Sequence, residues 1–287
     1  MDGINRRSFE GLVKSSIHFL VFSSIYIAVC ALVMVHQTNR LLSLQYDFIH
    51  YYLFVFFSTI CSYNFHWGLT PAVKTDLVRL GWTVRNKKLH IILFLIGAAG
   101  SAWYFFYYTE HWFWLGLGVF LTFLYSAPKV PFLRTLRNIA IGKTIFLAMV
   151  WMYVTTALPI FISAKNWGFL EILFCTSRFF FIYSICILFD YRDRDYDKKE
   201  GIRSMITYLD TKGVDRLFYL SLIIFAISTC SLAWIGFTNL QVVLLLIPGI
   251  LMVPLYYLAK KNFSDYLYYI ILDGMMMLPA LLTSVFY

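Results

Sequence analysis

The stretch LEILFCTSRFFFIYSICILFDYRDRDYDKKEGIRS, residues 170–204, decides the fold. It opens with about twenty apolar and aromatic residues, the length that crosses a hydrocarbon core. Asp190, Asp193 and Asp197 follow at once, in the run FDYRDRDYDKKEGIRS. At roughly 100° per residue, positions i, i+3 and i+7 fall on one helical face. Asp195 points to the opposite side, so the run is more than a solvated acidic patch. Carboxylates gathered on one face at the end of a buried helix repel one another. A cation or a cationic ligand relieves that cost.

The rest of the chain repeats the apolar pattern. It is 60% hydrophobic and 20% aromatic with only 14% charge, too little for the surface of a soluble domain. About nine segments of roughly twenty residues have membrane-crossing length. They cover approximately 15–35, 47–65, 89–108, 111–127, 143–163, 170–190, 215–236, 239–259 and 266–286. The expected fold is therefore all-α: a polytopic membrane bundle of about nine transmembrane helices around a central cavity. Residues 1–287 read as a single domain, since no linker or soluble insertion interrupts them.

Basic residues set the orientation. Nearly all Lys and Arg fall in alternate loops, around 6–14, 74–88, 129–143, 192–216 and 260–261. The opposite side carries Arg40 and Lys165, and Arg178 lies within a span. The positive-inside rule then places the N-terminus in the cytoplasm and the C-terminus outside. The net charge of +9 follows from these loops and requires no nucleic acid. Without a transit peptide, the simplest address is a bacterial plasma membrane. Cys30, Cys61, Cys175, Cys186 and Cys230 all fall inside spans, with no metal-ligand spacing. No P-loop, dinucleotide fingerprint, nucleophile elbow or HExxH pattern is present, which removes soluble nucleotide chemistry.

The longer loops all lie on the basic side, so function is expected there. Carboxylates such as Asp190, Asp193 and Asp197 suit Mg²⁺, which prefers oxygen ligands and bridges to substrate phosphates. Lys198, Lys199 and Arg203 follow directly and can bind phosphate themselves. These are the parts of a diphosphate site at a membrane surface, with the apolar remainder of the substrate extending into the bundle. The competing reading is a juxtamembrane cluster that neutralises its own basic neighbours.

The pattern Asp190-x-x-Asp193-x-x-x-Asp197-Lys-Lys-x-Gly201-x-Arg203 resembles the second aspartate motif of the UbiA superfamily of intramembrane prenyltransferases. The segment LYSAPKVPFLRTLRN, residues 124–138, is similar to that superfamily's tyrosine-serine-x-proline segment and the basic, asparagine-containing loop after it. The resemblance implies two aspartate motifs facing each other across a cavity and holding Mg²⁺ on an allylic isoprenoid diphosphate. Loss of the diphosphate leaves a carbocation that a lipid-soluble acceptor captures. Metal charge stabilises the leaving group, and an apolar bundle keeps water from the cation. Tyr125 and Asn138 match positions that line the cavity. Lys129, Arg134, Arg137 and Lys143 are topology charges first, with one or two reaching the diphosphate.

The chain departs from that pattern at the end of the second span. The segment reads Tyr63-Asn64-Phe65-His66-Trp67-Gly68-Leu69-Thr70-Pro71-Ala72. Asn64 is kept, but the aspartate positions carry Phe65, Gly68 and Ala72, and no carboxylate appears before Asp76. Three readings follow. The chain is a prenyltransferase in which Asn64, His66, Lys74 and Arg79 do part of the metal's work. Alternatively, it binds an isoprenoid or quinone-like lipid without transfer, or it is a transporter or assembly partner with a cation site. The last lacks any internal repeat or broken-helix signal. His66 reads equally as a phosphate donor or base, or as a polar residue at a helix end. Arg178 and Asp273 are the intramembrane charges and are expected to pair. Partners are an isoprenoid diphosphate, an acceptor and membrane lipid; the oligomeric state is not legible.

Overall fold

The computed structural model of the chain describes residues 2–70, 78–126, 143–199 and 204–286, with side chains left undescribed at 2–10, 125–126, 143, 196 and 199. Among the described residues the secondary structure is helical throughout, with no strand. The main helices are α1 (Asp2–Phe22), α2 (Ile25–Leu41), α3 (Phe48–Gly68), α4 (Val78–Arg85), α5 (Lys87–Phe105), α6 (Trp112–Ser126) and α7 (Lys143–Met152). They continue as α8 (Leu158–Ile162), α9 (Phe169–Lys199), α10 (Met205–Tyr208), α11 (Thr211–Ser231), α12 (Asn239–Lys261) and α13 (Asp273–Phe286).

Local chemistry sets several of these boundaries. The Asp47 side chain accepts the His50 N–H at the start of α3. Thr238 and Gln241 form a capping box at the start of α12, and Ser204 and Thr207 form one on the short α10. A 31-residue helix such as α9 is about 46 Å long at 1.5 Å per residue, longer than a hydrocarbon core of about 30 Å. Its C-terminal turns therefore carry the aspartate run to the edge of the apolar layer.

Packing centres on α2, α3 and α9. The α2 helix lies against both α3 and α13, and α9 packs on α7, α11 and α12. The α3–α5 contact brings backbones together. A Cβ added at Gly97 would stand 2.5 Å from the Cys61 amide nitrogen, so only glycine permits this crossing. Large apolar side chains such as Ile91, Ile92, Leu95, Ile96 and Ile250 face outward. That face is costly in water but not against lipid tails.

Two π-helical turns interrupt the bundle, at Tyr153–Ala157 and Leu267–Leu272. Hydroxyls from neighbouring helices donate to carbonyls within these turns. Tyr51 reaches Val154 O at 2.7 Å, Thr38 reaches Thr155 O at 2.8 Å, and Tyr26 reaches Ile270 O at 2.9 Å.

Among the described residues, six helical segments are long and apolar enough to cross a membrane, or seven if the bent pair Gly11–Phe22 and Ile25–Leu41 counts as one span. The expected count of nine is not confirmed. The expected segment 15–35 straddles a 58° break between α1 and α2. Segments 89–108 and 111–127 fall within one apolar stretch, Lys87–Leu124, which is kinked at the non-helical Tyr108 (φ −115°, ψ 39°). The α3 helix carries His50, Asn64 and His66 and is not among the six.

The expected pairing of Arg178 with Asp273 is not observed. The Arg178 guanidinium donates to Gln37 Oε1 at 2.6 Å, and Gln37 Nε2 donates to Thr283 Oγ1 at 3.0 Å. The charges acting on Asp273 are instead Arg79 and Arg192.

Candidate functional site

The aspartate run occupies the last turns of α9. Asp190 and Asp197 are buried, Asp193 is half-exposed and Asp195 is exposed. Thr144, at the start of α7, donates its hydroxyl to Asp190. Asp193 accepts from Arg192 Nε at 3.0 Å. Lys198 is exposed. Among the described residues no group of three or more His, Cys, Asp or Glu side chains gathers as a metal-binding set.

Beside the run lies a buried cluster built from four parts of the chain. Arg79, near the start of α4, is 4% exposed. Its guanidinium carbon sits 4.1 Å from the ring centre of Trp67, at the end of α3, and 4.0 Å from that of Tyr269, in the π turn before α13. The two rings stand nearly perpendicular, 6.1 Å apart, with the guanidinium wedged between them. Arg192 of α9 reaches the same tyrosine from another side. Its Nη2 donates to the Tyr269 hydroxyl at 2.7 Å, and its guanidinium carbon lies 4.5 Å from the Tyr268 ring centre.

Asp265, in the connection between α12 and the π turn, ties the cluster together. Its Oδ2 accepts the Arg79 backbone N–H at 2.8 Å, one of the orphan donors of a helix N-terminus. Its Oδ1 lies 3.7 Å from Arg192 Nη1. Buried Arg79 Nε and Arg192 Nη1 have no hydrogen-bond acceptor. Among the described residues the Arg79 side chain makes no hydrogen bond or ion pair at all. Burial pushes its pKa below the ordinary arginine value, while Tyr269 and Asp273 pull it back up. An arginine stays charged through such a shift.

Asn64 lies buried at the end of α3, in a network of hydrogen bonds. It is 1% exposed, and its Nδ2 donates to Ser23 O at 3.0 Å and Ile60 O at 2.8 Å. Its Oδ1 pairs with His90 Nδ1 at 2.7 Å. These bonds tie α3 to Ser23, just after α1, and to α5. His66 is half-buried at the end of α3, edge-on to Trp67 at 5.9 Å. Lys74, Asp76, Lys129, Arg134, Arg137, Asn138 and Arg203 lie outside the described residues, as do the side chains of Tyr125, Lys143 and Lys199.

Residues 83–266 match the model of the UbiA prenyltransferase family. The chain belongs to that family. Membership of the UbiA family implies an intramembrane prenyltransferase, and the apolar helices support an integral membrane protein. The fold is also that of a UbiA homologue from Aeropyrum pernix K1, solved in its apo form. The identity is 12%, with a TM-score of 0.63, and the match covers 92% of this chain and 96% of the other. No curated protein matches the chain.

UbiA prenyltransferases generally use Mg²⁺ with diphosphate substrates. The donor set at the end of α9 fits that ion, because Mg²⁺ needs only one or two protein carboxylates beside substrate phosphate and water. Asp190, Asp193 and Asp197 supply hard oxygens on one helix end. The family match begins beyond Asn64–Ala72, the stretch in which the aspartate positions are apolar. Arg79 comes to the tryptophan of that stretch, Trp67.

Sequence reasoning missed several members of this cluster. Arg192 was counted among the topology charges, and Asp265, Tyr269 and His90 were given no role. The available signals were Arg192 lying inside the aspartate run itself and Tyr269 lying four residues before an intramembrane aspartate.

Proposed function

We propose that the protein transfers an isoprenoid chain from an allylic diphosphate to a lipid-soluble acceptor at the cytoplasmic face of a bacterial plasma membrane, with residues 1–287 acting as one unit. The observation that carries this reading is the Arg79 guanidinium, buried against Trp67 and Tyr269 with its donors uncommitted, beside the helix end bearing Asp190, Asp193 and Asp197. A guanidinium held by ring faces keeps its N–H edge for a planar or tetrahedral anion.

One or two of Asp190, Asp193 and Asp197 would hold Mg²⁺ together with substrate phosphate and water. When bound, the ion neutralises diphosphate charge and makes it a better leaving group. The chain's own residues do the rest. Arg79 binds the diphosphate from the side where the first aspartate motif has lost its carboxylates, and Arg192 keeps Tyr269 and Asp193 in place. The exposed Lys198 and the basic residues Lys74, Lys129, Arg137, Lys143, Lys199 and Arg203 draw the anion to this face. The apolar bundle, with Tyr125 and Asn138 as expected lining residues, excludes water from the carbocation. Asn64 positions His90, and His66 borders the site.

The test is release of pyrophosphate from a labelled C20 allylic diphosphate by the purified protein. Release that depends on Mg²⁺ and is lost in Asp193→Ala supports transfer. Retention of the intact donor by both proteins would mean binding without transfer.

A further inference from the structure

Three basic residues at the turn between α4 and α5 take no part in the site described above. Arg85 closes α4, and Lys87 and Lys88 open α5, with only Asn86 between the two helices. All three are exposed. Among the described residues their side chains make no hydrogen bond and no ion pair. No local counter-charge is available either, since no acidic residue occurs between Asp76 and Glu110.

The corner has a fixed orientation. Asn86 Nδ2 donates to Trp82 O at 2.9 Å and closes the C-terminal end of α4. The Trp82 ring stands 5.8 Å from Phe22 of α1 and 5.6 Å from His90 of α5. His90 is fully buried against Asn64 of α3, and Gly97 lies on the Cys61 backbone. These contacts set which way α5 faces. At roughly 100° per residue, Lys87, Lys88, Ile91, Ile92 and Leu95 fall within an arc of about 140°, away from His90 and Gly97. Ile91, Ile92 and Leu95 are each more than half exposed, and the apolar membrane-crossing stretch begins at Lys87.

A charge that only sets topology can stand anywhere around its helix. Lys87 and Lys88 instead stand on the face that meets lipid, at its polar edge, close in sequence to Arg85. A phosphate at this corner meets three cations, and hydrocarbon joined to that phosphate runs down isoleucine and leucine side chains. We propose that the α4–α5 corner is a binding site for an anionic phospholipid, with Arg85, Lys87 and Lys88 on the headgroup and the acyl chains along Ile91, Ile92 and Leu95. The guanidinium suits a bidentate contact with phosphate oxygens, and the two ammonium groups add charge. Basic clusters at the edge of a helical bundle recognise anionic headgroups by this chemistry. The inference depends on the chain crossing a membrane and is independent of prenyl transfer.

The test takes the full chain in detergent, titrated with phosphatidylglycerol or phosphatidylcholine. Native mass spectrometry reads the affinity for the first bound lipid. Wild type is expected to hold phosphatidylglycerol at least about tenfold more tightly than phosphatidylcholine. Arg85→Gln/Lys87→Gln/Lys88→Gln should lose about 10- to 100-fold in phosphatidylglycerol affinity, at about fivefold per basic residue, and keep its phosphatidylcholine affinity. A control removes the same charge from other exposed positions, Lys212→Gln/Arg216→Gln/Lys261→Gln. It should stay within about twofold of wild type, because screening weakens exposed charges over distance. Phosphatidylglycerol should also raise the melting temperature of wild type and control but not of the corner variant, since a ligand stabilises the fold that binds it. Equal affinity of wild type for the two lipids overturns the inference. A control that loses as much as the corner variant also overturns it, by making the preference a matter of net charge. Should the triple variant not fold, Lys88→Gln alone decides: a loss of about fivefold supports the site and an unchanged affinity overturns it.

Discussion

The Arg79 guanidinium carbon lies 4.0 Å from the ring centre of Tyr269, and the hydroxyl of that tyrosine accepts from Arg192 at 2.7 Å. One aromatic side chain thus carries two buried guanidiniums, one from the short helix after α3 and one from the aspartate run of α9. This contact spans the gap between the stretch that has lost its carboxylates and the stretch that has kept them.

Arg79→Gln should weaken pyrophosphate binding by about 10- to 100-fold, corresponding to about 1.5–3 kcal/mol for a charge-assisted contact. Arg79→Lys should restore little of it. A lysine ammonium is strongly hydrated and lacks the planar fork that fits both rings and anion. Isothermal titration with inorganic pyrophosphate and Mg²⁺ measures both variants.

Tyr269→Phe removes the acceptor for Arg192 but keeps the ring. It should cost about 1.5–3 kcal/mol of stability, the range for hydrogen bonds to charged groups. Tyr269→Ala also removes the platform for both guanidiniums, so its melting temperature should fall further. A thermal melt in detergent ranks the pair, and equal melting temperatures would deny the ring its role.

Asn64→Ala leaves His90 Nδ1 without its buried partner and strips donors from Ser23 O and Ile60 O. A loss of about 1–3 kcal/mol is expected for each buried polar group left unsatisfied. The melting temperature should drop strongly, with pyrophosphate affinity in the surviving folded protein changed less than in Arg79→Gln. The reverse order would make Asn64 a ligand-binding residue.

Much of the fold was legible because lipid leaves a strong signature. Long apolar runs and basic loops mark helices and membrane edges without reference to tertiary contacts. The count was less legible, because hydropathy registers neither the 58° break near Ser23 nor the kink at Tyr108 within Lys87–Leu124. The three aspartates and Arg79 were legible as candidate site residues from spacing and charge. Arg192 was hidden by its company, since a basic residue amid basic loops reads as topology. Asp265 and Tyr269 come within reach of Arg79 only through packing, across a separation that no local pattern spans. Asn64 shows what a motif position alone does not reveal: its hydrogen bonds to Ser23, Ile60 and His90.

Gly97 tests the scaffold itself. Gly97→Leu forces side-chain atoms into the Cys61 backbone, and overpacking of this kind costs about 1–3 kcal/mol or more. The variant should express poorly or melt early, whereas Gly116→Leu, where an added Cβ meets nothing within 4 Å, should be tolerated.

The central claim is that a diphosphate lies between the aspartates of α9 and Arg79. The most direct measurement is the structure of the protein with Mg²⁺ and a non-ionising thiolodiphosphate analogue of the prenyl donor. The account predicts a phosphoryl oxygen within hydrogen-bond distance of the Arg79 guanidinium. An analogue bound elsewhere, with Arg79 still facing only Trp67 and Tyr269, would contradict it.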